Sequence, residues 1–190
     1  MTRKFAAADE SWPAYDAVKR WTKKAEIFNK KFIVIPVNES YHWYLAVIYN
    51  PRATLDRARA ARFRHYRQLQ ASLLDLGVLT IRTWIITFDS MGSRHPSVAT
   101  NLQRWLQCEA KDKLGEDADF ASVPYLEGKC LEQPNFYDCG LYLIHFAKQL
   151  LRNSEEVLRF IGVSRSRRNI HVWRRANGTV CASDSGCRRS

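Results

Sequence analysis

Three short blocks of unbroken apolar character punctuate the chain. Phe32-Ile33-Val34-Ile35-Pro36-Val37 is rich in β-branched residues and too short for a helix, so it predicts a buried strand. Asn38-Glu39-Ser40 predicts a turn. His42-Trp43-Tyr44-Leu45-Ala46-Val47-Ile48-Tyr49 predicts the next strand, ended by Asn50-Pro51. Thr83-Trp84-Ile85-Ile86-Thr87-Phe88 predicts a third, stopped by Asp89-Ser90-Met91-Gly92. Between the second and third, residues 52–77 carry Leu55, Phe63, Tyr66, Leu69, Leu73 and Leu76 at mixed three- and four-residue spacings among arginines and alanines. That pattern predicts a surface helix or a partly ordered insert.

Helical spacing governs most of the remainder. Residues 14–25 predict a helix carrying Val18 and Trp21. Ser97 is placed to cap a helix from Val98 to about Lys113, with Leu102, Trp105 and Leu106 turned inward. Val123 to Leu131 predicts extended chain. A helix from Cys139 to about Arg152 follows, and Asn153 or Ser154 then caps a last short helix with Val157, Leu158 and Ile161. After Gly162 the composition turns to Ser, Arg, Asn and Gly, which predicts a disordered tail. No internal repeat is visible.

Composition narrows the picture. At 190 residues, 46% hydrophobic and 12% aromatic, the chain suffices for one domain with a substantial core. No apolar run is long enough to span a bilayer. The first ten residues lack the apolar centre of a secretory signal. Five cysteines, an odd number without a CxxC pair, predict free thiols in a reducing compartment and argue against a disulfide framework or a zinc site.

The net charge of +11 invites a nucleic-acid reading, but its distribution weakens it. Residues 1–50 and 83–151 carry +3 and −3 and cancel, whereas residues 51–82 and 152–190 carry +5 and +6. The excess therefore belongs to the insert and the tail. Arg52, Arg57, Arg59, Arg62, Arg64 and Arg67, interleaved with Phe63 and Tyr66, can hold phosphate and stack bases, but a solvated insert is the simpler account. Asn177-Gly178-Thr179 matches a glycosylation acceptor and is read as accidental without a secretory signal.

Three polar residues fall at element boundaries, where a scaffold usually displays chemistry: His42 opens a strand, Asp89 ends another and Cys139 opens a helix. Unpaired N–H groups and the positive dipole end at a helix start favour a thiolate. An imidazole can take the thiol proton and return it to a leaving amine, and a carboxylate can fix the imidazole tautomer. Gln133, six residues before Cys139, is an amide able to donate to an oxyanion. Each feature has a plainer explanation. The cysteine can be a small core residue, His42 a surface histidine at a strand edge, and Asp89 ordinary turn chemistry. His65, His95, His145 and His171 compete as bases, although His145 lies within the apolar helix on a face away from Cys139.

The order His42-Trp43, Asp89 after a strand, Gln133, and Asp138-Cys139-Gly140 resembles the ubiquitin-like-protein-specific (SUMO, or sentrin) cysteine proteases. Lys19-Arg20-Trp21-Thr22-Lys23-Lys24 with Ile27-Phe28, and Val37-Asn38-Glu39 before His42, resemble the branch of that family that edits SUMO chains. Papain-type enzymes present Cys before His, so the residue order separates the two lineages.

The resemblance implies a papain-like (adenain-type) α+β fold, a mixed sheet packed against the helix that carries the nucleophile. It covers roughly residues 15–50 and 80–162. The expected organisation is a partial catalytic domain over 1–163, with the Arg-rich insert at about 52–80, and a basic tail over 164–190. It implies cleavage after the C-terminal Gly-Gly of SUMO, with Cys139 as nucleophile, His42 as base and acid, Asp89 as orienting carboxylate and Gln133 as oxyanion donor. Trp43 would cover the channel for the diglycine. No cofactor or metal is implied. The implied partners are SUMO and SUMO-conjugated proteins, with no membrane, and the implied compartment is the nucleus, with the cytoplasm as the alternative. An upstream Trp-Leu-Asn-Asp-like motif of the family has no match. One expectation is therefore a domain lacking its N-terminal part and exposing apolar surface. The alternative function is a catalytically impaired domain that binds SUMO without cleaving it.

Overall fold

The computed structural model describes residues 12–61 and 82–163. The described elements run α1 (Pro13–Val18), a single 3₁₀ turn (Ile27–Asn29), β1 (Phe32–Glu39), β2 (His42–Tyr49), α2 (Arg52–Ala61), β3 (Trp84–Phe88), α3 (Pro96–Leu114), β4 (Tyr125–Glu127), α4 (Cys139–Arg152) and α5 (Ser154–Val163). The four strands form one sheet in the order β1-β2-β3-β4. The class is α+β, as expected. The described residues divide into two compact units, the first comprising 12–33, 48–61, 82–85 and 96–125, the second 34–47, 86–95 and 126–163.

The three apolar blocks all become strands, but β1 is not the buried strand expected: it lies at the sheet edge and none of its residues is buried. The first turn differs from its predicted place. β1 continues to Glu39, and the chain reverses at Ser40 and Tyr41, both at positive φ (52° and 65°). Two consecutive left-handed residues make the hairpin turn whose twist matches that of the flanking strands. The register has a visible cause: Tyr44 Oη donates to Glu39 Oε2 at 2.9 Å across the hairpin, which keeps Glu39 in the strand.

In the first unit, α1 ends at Val18, well short of the predicted 14–25 helix. Turns closed by Trp21 N–H to Val18 O and Lys23 N–H to Arg20 O follow it. Tyr15 is buried but Trp21 is 81% exposed, so no apolar stripe continues to hold a helix. Thr22 instead donates to Glu109, a fully buried carboxylate also paired with Lys113. Phe28 and Phe120 meet at 5.9 Å between ring centroids. α2 buries Ala53 and Leu55; the rest of the Arg-rich stretch, including Arg62, Phe63, Arg64, Tyr66 and Arg67, lies outside the described residues. Of its described arginines, Arg52 bonds Asn29 and Arg59 pairs with Glu116. α3 begins at Pro96 rather than Val98, because proline's fixed φ suits a first helical position.

The second unit holds His42, Trp43, Asp89, Gln133 and Cys139. Residues 44–47 of β2 are fully buried, as are Ile86 and Phe88 of β3. Phe146 of α4 meets Phe88 at 6.1 Å, and Val157 and Leu158 of α5 are buried. The extended chain predicted over 123–131 pairs as a strand only over Tyr125–Glu127. Gly128 follows, its N–H donating to Thr87 O at 2.8 Å. A Cβ there would lie 2.3 Å from Phe88 Cε1, so only glycine lets the two strands close over that ring. Gly128→Ala is expected to destabilise the fold by about 1–3 kcal/mol, read as a lower urea midpoint at unchanged m-value. Leu141, Ile144 and Leu151 recur on one face of α4 and are exposed. The tail predicted after Gly162 falls almost wholly outside the described residues.

Candidate active site

The hairpin turn puts His42 at the first position of β2, and the end of β3 delivers Asp89. His42 Nε2 donates to Asp89 Oδ1 at 2.7 Å. Asp89 is buried and His42 half-buried, so the pair has one protected and one accessible partner. With Nε2–H committed to the carboxylate, the lone pair of a neutral His42 resides on Nδ1. Met91 N–H also donates to Asp89 Oδ1, at 2.6 Å, closing the turn after β3. Burial alone would push the Asp89 carboxyl up. Hydrogen bonds from His95, Met91 N–H and His42, with the nearby His42 charge, outweigh it and hold the group below its ordinary value. Asp89 is therefore a carboxylate throughout the neutral range.

Ser90 ties Gln133 to this pair. Gln133 N–H donates to Ser90 O at 2.9 Å, and Ser90 Oγ donates to Gln133 Oε1 at 2.6 Å. With its oxygen held, the Gln133 amide presents its N–H groups, one of them to Asn135 O. Asn135 then organises the approach to α4. Its Oδ1 accepts Tyr137 N–H and Asp138 N–H, and its Nδ2 donates to Asp138 Oδ2 at 2.7 Å. This is a side-chain-nucleated turn. It leaves Phe136 and Tyr137 exposed and delivers Asp138 to the N-cap position, where its carbonyl accepts Leu141 and Tyr142 N–H.

Cys139 is thus the first residue of α4, buried, in the same compact unit as His42, Asp89 and Gln133. Among the described residues its sulfur makes no hydrogen bond. The other described thiols differ chemically. Cys130 donates to Asp89 O at 3.2 Å, and burial together with the Asp89 charge pushes it up to about 12. Burial also raises Cys108. Both stay protonated and unreactive at neutral pH. Trp43, next to His42, is half-exposed.

The structure thus bonds His42 to Asp89 directly and joins Gln133 to them through Ser90. Ser90, Asn135 and His95 are the site's unanticipated members. Ser90 and Asn135 were visible only as turn residues, and His95 only as one histidine among several. His145, the competitor inside α4, is lowered by burial and by Lys148. His65 and His171 lie outside the described residues. Among the described residues no group of three His, Cys, Asp or Glu side chains is arranged to hold a metal, and no helix is long and apolar enough to cross a membrane.

Residues 2–170 match the model of the Ulp1 protease family, C-terminal catalytic domain. The chain belongs to the Ulp1 protease family. It is 32% identical over 148 residues to ubiquitin-like-specific protease 2 of Schizosaccharomyces pombe, covering 74% of this chain and 23% of that protein. The corresponding Saccharomyces cerevisiae protein is 29% identical over 147 residues, covering 76% and 14%. A crystal structure of a de-sumoylating protease superposes with a TM-score of 0.59 at 28% identity, over 78% of this chain and 49% of that one. The chain therefore spans a quarter or less of those two relatives and about half of the solved protein. The Ulp1-family fold accounts for the α+β class, with cysteine-protease chemistry as the family's property.

Proposed function

We propose that this chain is a thiol-dependent isopeptidase and endopeptidase that cleaves after the C-terminal Gly-Gly of SUMO. It thereby releases SUMO from target lysines or dismantles SUMO chains, with the nucleus as its working compartment. The observation that carries the reading is the 2.7 Å bond between His42 and Asp89, in the unit that also holds Gln133 and Cys139. His42 Nδ1 takes the Cys139 proton, and the thiolate attacks the carbonyl carbon of the terminal glycine. The tetrahedral oxyanion accepts a hydrogen bond from Gln133. As the C–N bond breaks, His42 returns the proton to the departing lysine amine, leaving a thioester on Cys139. Water, deprotonated by His42, attacks that thioester and frees the SUMO carboxylate and the thiol. Asp89 keeps His42 in the Nε2–H tautomer and supports its cation in both halves. Trp43 covers the diglycine, so that any residue bulkier than glycine is excluded.

The test is cleavage of SUMO bearing a C-terminal amide reporter, beside an analogue whose Gly-Gly is replaced by Ala-Ala. Turnover of the first and not the second is expected. Binding of SUMO without turnover would contradict the reading and leave a SUMO-binding module in its place.

A further inference from the structure

Asp89 serves two histidines. Oδ1 accepts His42 Nε2, while Oδ2 accepts His95 Nε2 at 2.6 Å. The second contact is the more enclosed, since His95 is 8% exposed. The His95 ring lies flat on Tyr44, with centroids 3.6 Å apart and planes 11° from parallel. Tyr44, almost wholly buried, donates its hydroxyl to Glu39 Oε2, and that oxygen stands 3.6 Å from His95 Nδ1. His95, Tyr44 and Glu39 thus form a closed circuit, to which Asp89 is bound through His95 Nε2, and it includes neither Cys139 nor Gln133.

The circuit bears on a specific freedom. The terminal torsion of an aspartate is broad and nearly two-fold, so a carboxylate held by one oxygen can swing. A swing would carry Oδ1 away from His42, release its ring and let the imidazole change tautomer. A donor on the opposite oxygen removes that freedom. His95 is suited to the task because the stack on Tyr44 fixes its plane and the following Pro96 fixes the start of α3. The groups facing Asp89 are His42 from β2, His95 from the segment before α3, Cys130 from the segment after β4, and Met91 N–H within its own turn.

We propose that His95 is a positioning residue for the His42–Asp89 pair, clamping Asp89 through Oδ2 so that Oδ1 stays on His42 Nε2. What the clamped pair accomplishes rests on the hydrolase reading; the clamp itself does not. Glutamine and asparagine at position 95 separate the possibilities. The Gln Nε2 reaches about where the His Nε2 stood, whereas the Asn amide ends near the Nδ1 position and falls short of Asp89. Both are neutral and similarly polar, so a merely structural role would treat them alike.

With the SUMO amide reporter, His95→Asn is expected to lower kcat about tenfold with KM within twofold, the rate equivalent of one lost charge-assisted hydrogen bond. His95→Gln is expected to recover most of that loss. Independently of turnover, the His42 Nε2 proton should give a protected, downfield NMR resonance in the wild type and in His95→Gln. It should exchange with solvent in His95→Asn. Equal behaviour of the two variants in the NMR comparison overturns the proposal, as does an unchanged His42 resonance in both. An inactive wild type would contradict the hydrolase reading, while the NMR comparison would still decide the role of His95.

Discussion

Replacing Asp89 by asparagine is expected to lower kcat on a SUMO amide reporter by about 10²- to 10⁴-fold with little change in KM. The hydrogen bonds say why the range is wide. Two donors, Met91 N–H and His42 Nε2–H, converge on Oδ1, and one, from His95, reaches Oδ2. An asparagine satisfies more of them with its oxygen toward His42, so the His42 tautomer survives and the loss is that of the negative charge supporting the imidazolium. That orientation aims the amide N–H₂ at the His95 donor. If that clash turns the side chain over, the tautomer is lost as well and the larger figure applies. The same substitution reports on stability. Hydrogen bonding lowers the Asp89 carboxyl below its ordinary value, near 4 in an unfolded chain. The folded state therefore gains from Asp89 above that value and loses the gain as pH falls through the lowered one. The wild type should lose stability on acidification below about pH 4, and Asp89→Asn should lack that part of the loss.

Cys139→Ala is expected to lower turnover by about 10⁵-fold or more while SUMO still binds with a dissociation constant within about twofold. No other described thiol can substitute. Cys130 is held protonated by burial and by the Asp89 charge, with its S–H spent on Asp89 O, and Cys108 is raised by burial. Cys139→Ser tests the same point more finely. An alkoxide is far harder to generate than a thiolate, so a hydroxyl paired with His42 should remain nearly as inactive as alanine. Both variants should unfold at close to the wild-type temperature, because alanine and serine fit the small, buried first position of α4.

What the sequence made legible follows from which signals are local. The strand blocks at 42–49 and 83–88 could be read because both faces of buried strands are apolar, and the block at 32–37 from its β-branched residues, although β1 lies at the sheet edge with none of its residues buried. α4 could be read from its dense apolar content, opened by Cys139. The early end of α1 could not: only the tertiary structure shows that Trp21 stands exposed and that Thr22 bonds Glu109, some ninety residues away. The place of the first turn depended on a cross-hairpin contact between Glu39 and Tyr44. In the same way His42, Asp89, Gln133 and Cys139 stood out because each sits at an element boundary. His95 did not, because nothing local to Arg94-His95-Pro96 reveals that its ring lies on Tyr44 and its Nε2 on Asp89.

SUMO carrying an electrophile in place of its terminal carboxylate asks the decisive question in a single reaction. It should form one covalent adduct with this chain, mapped by mass spectrometry to Cys139, and form none with Cys139→Ala. Labelling of the alanine variant to the same extent, or an adduct mapped to Cys108 or Cys130, would contradict the account.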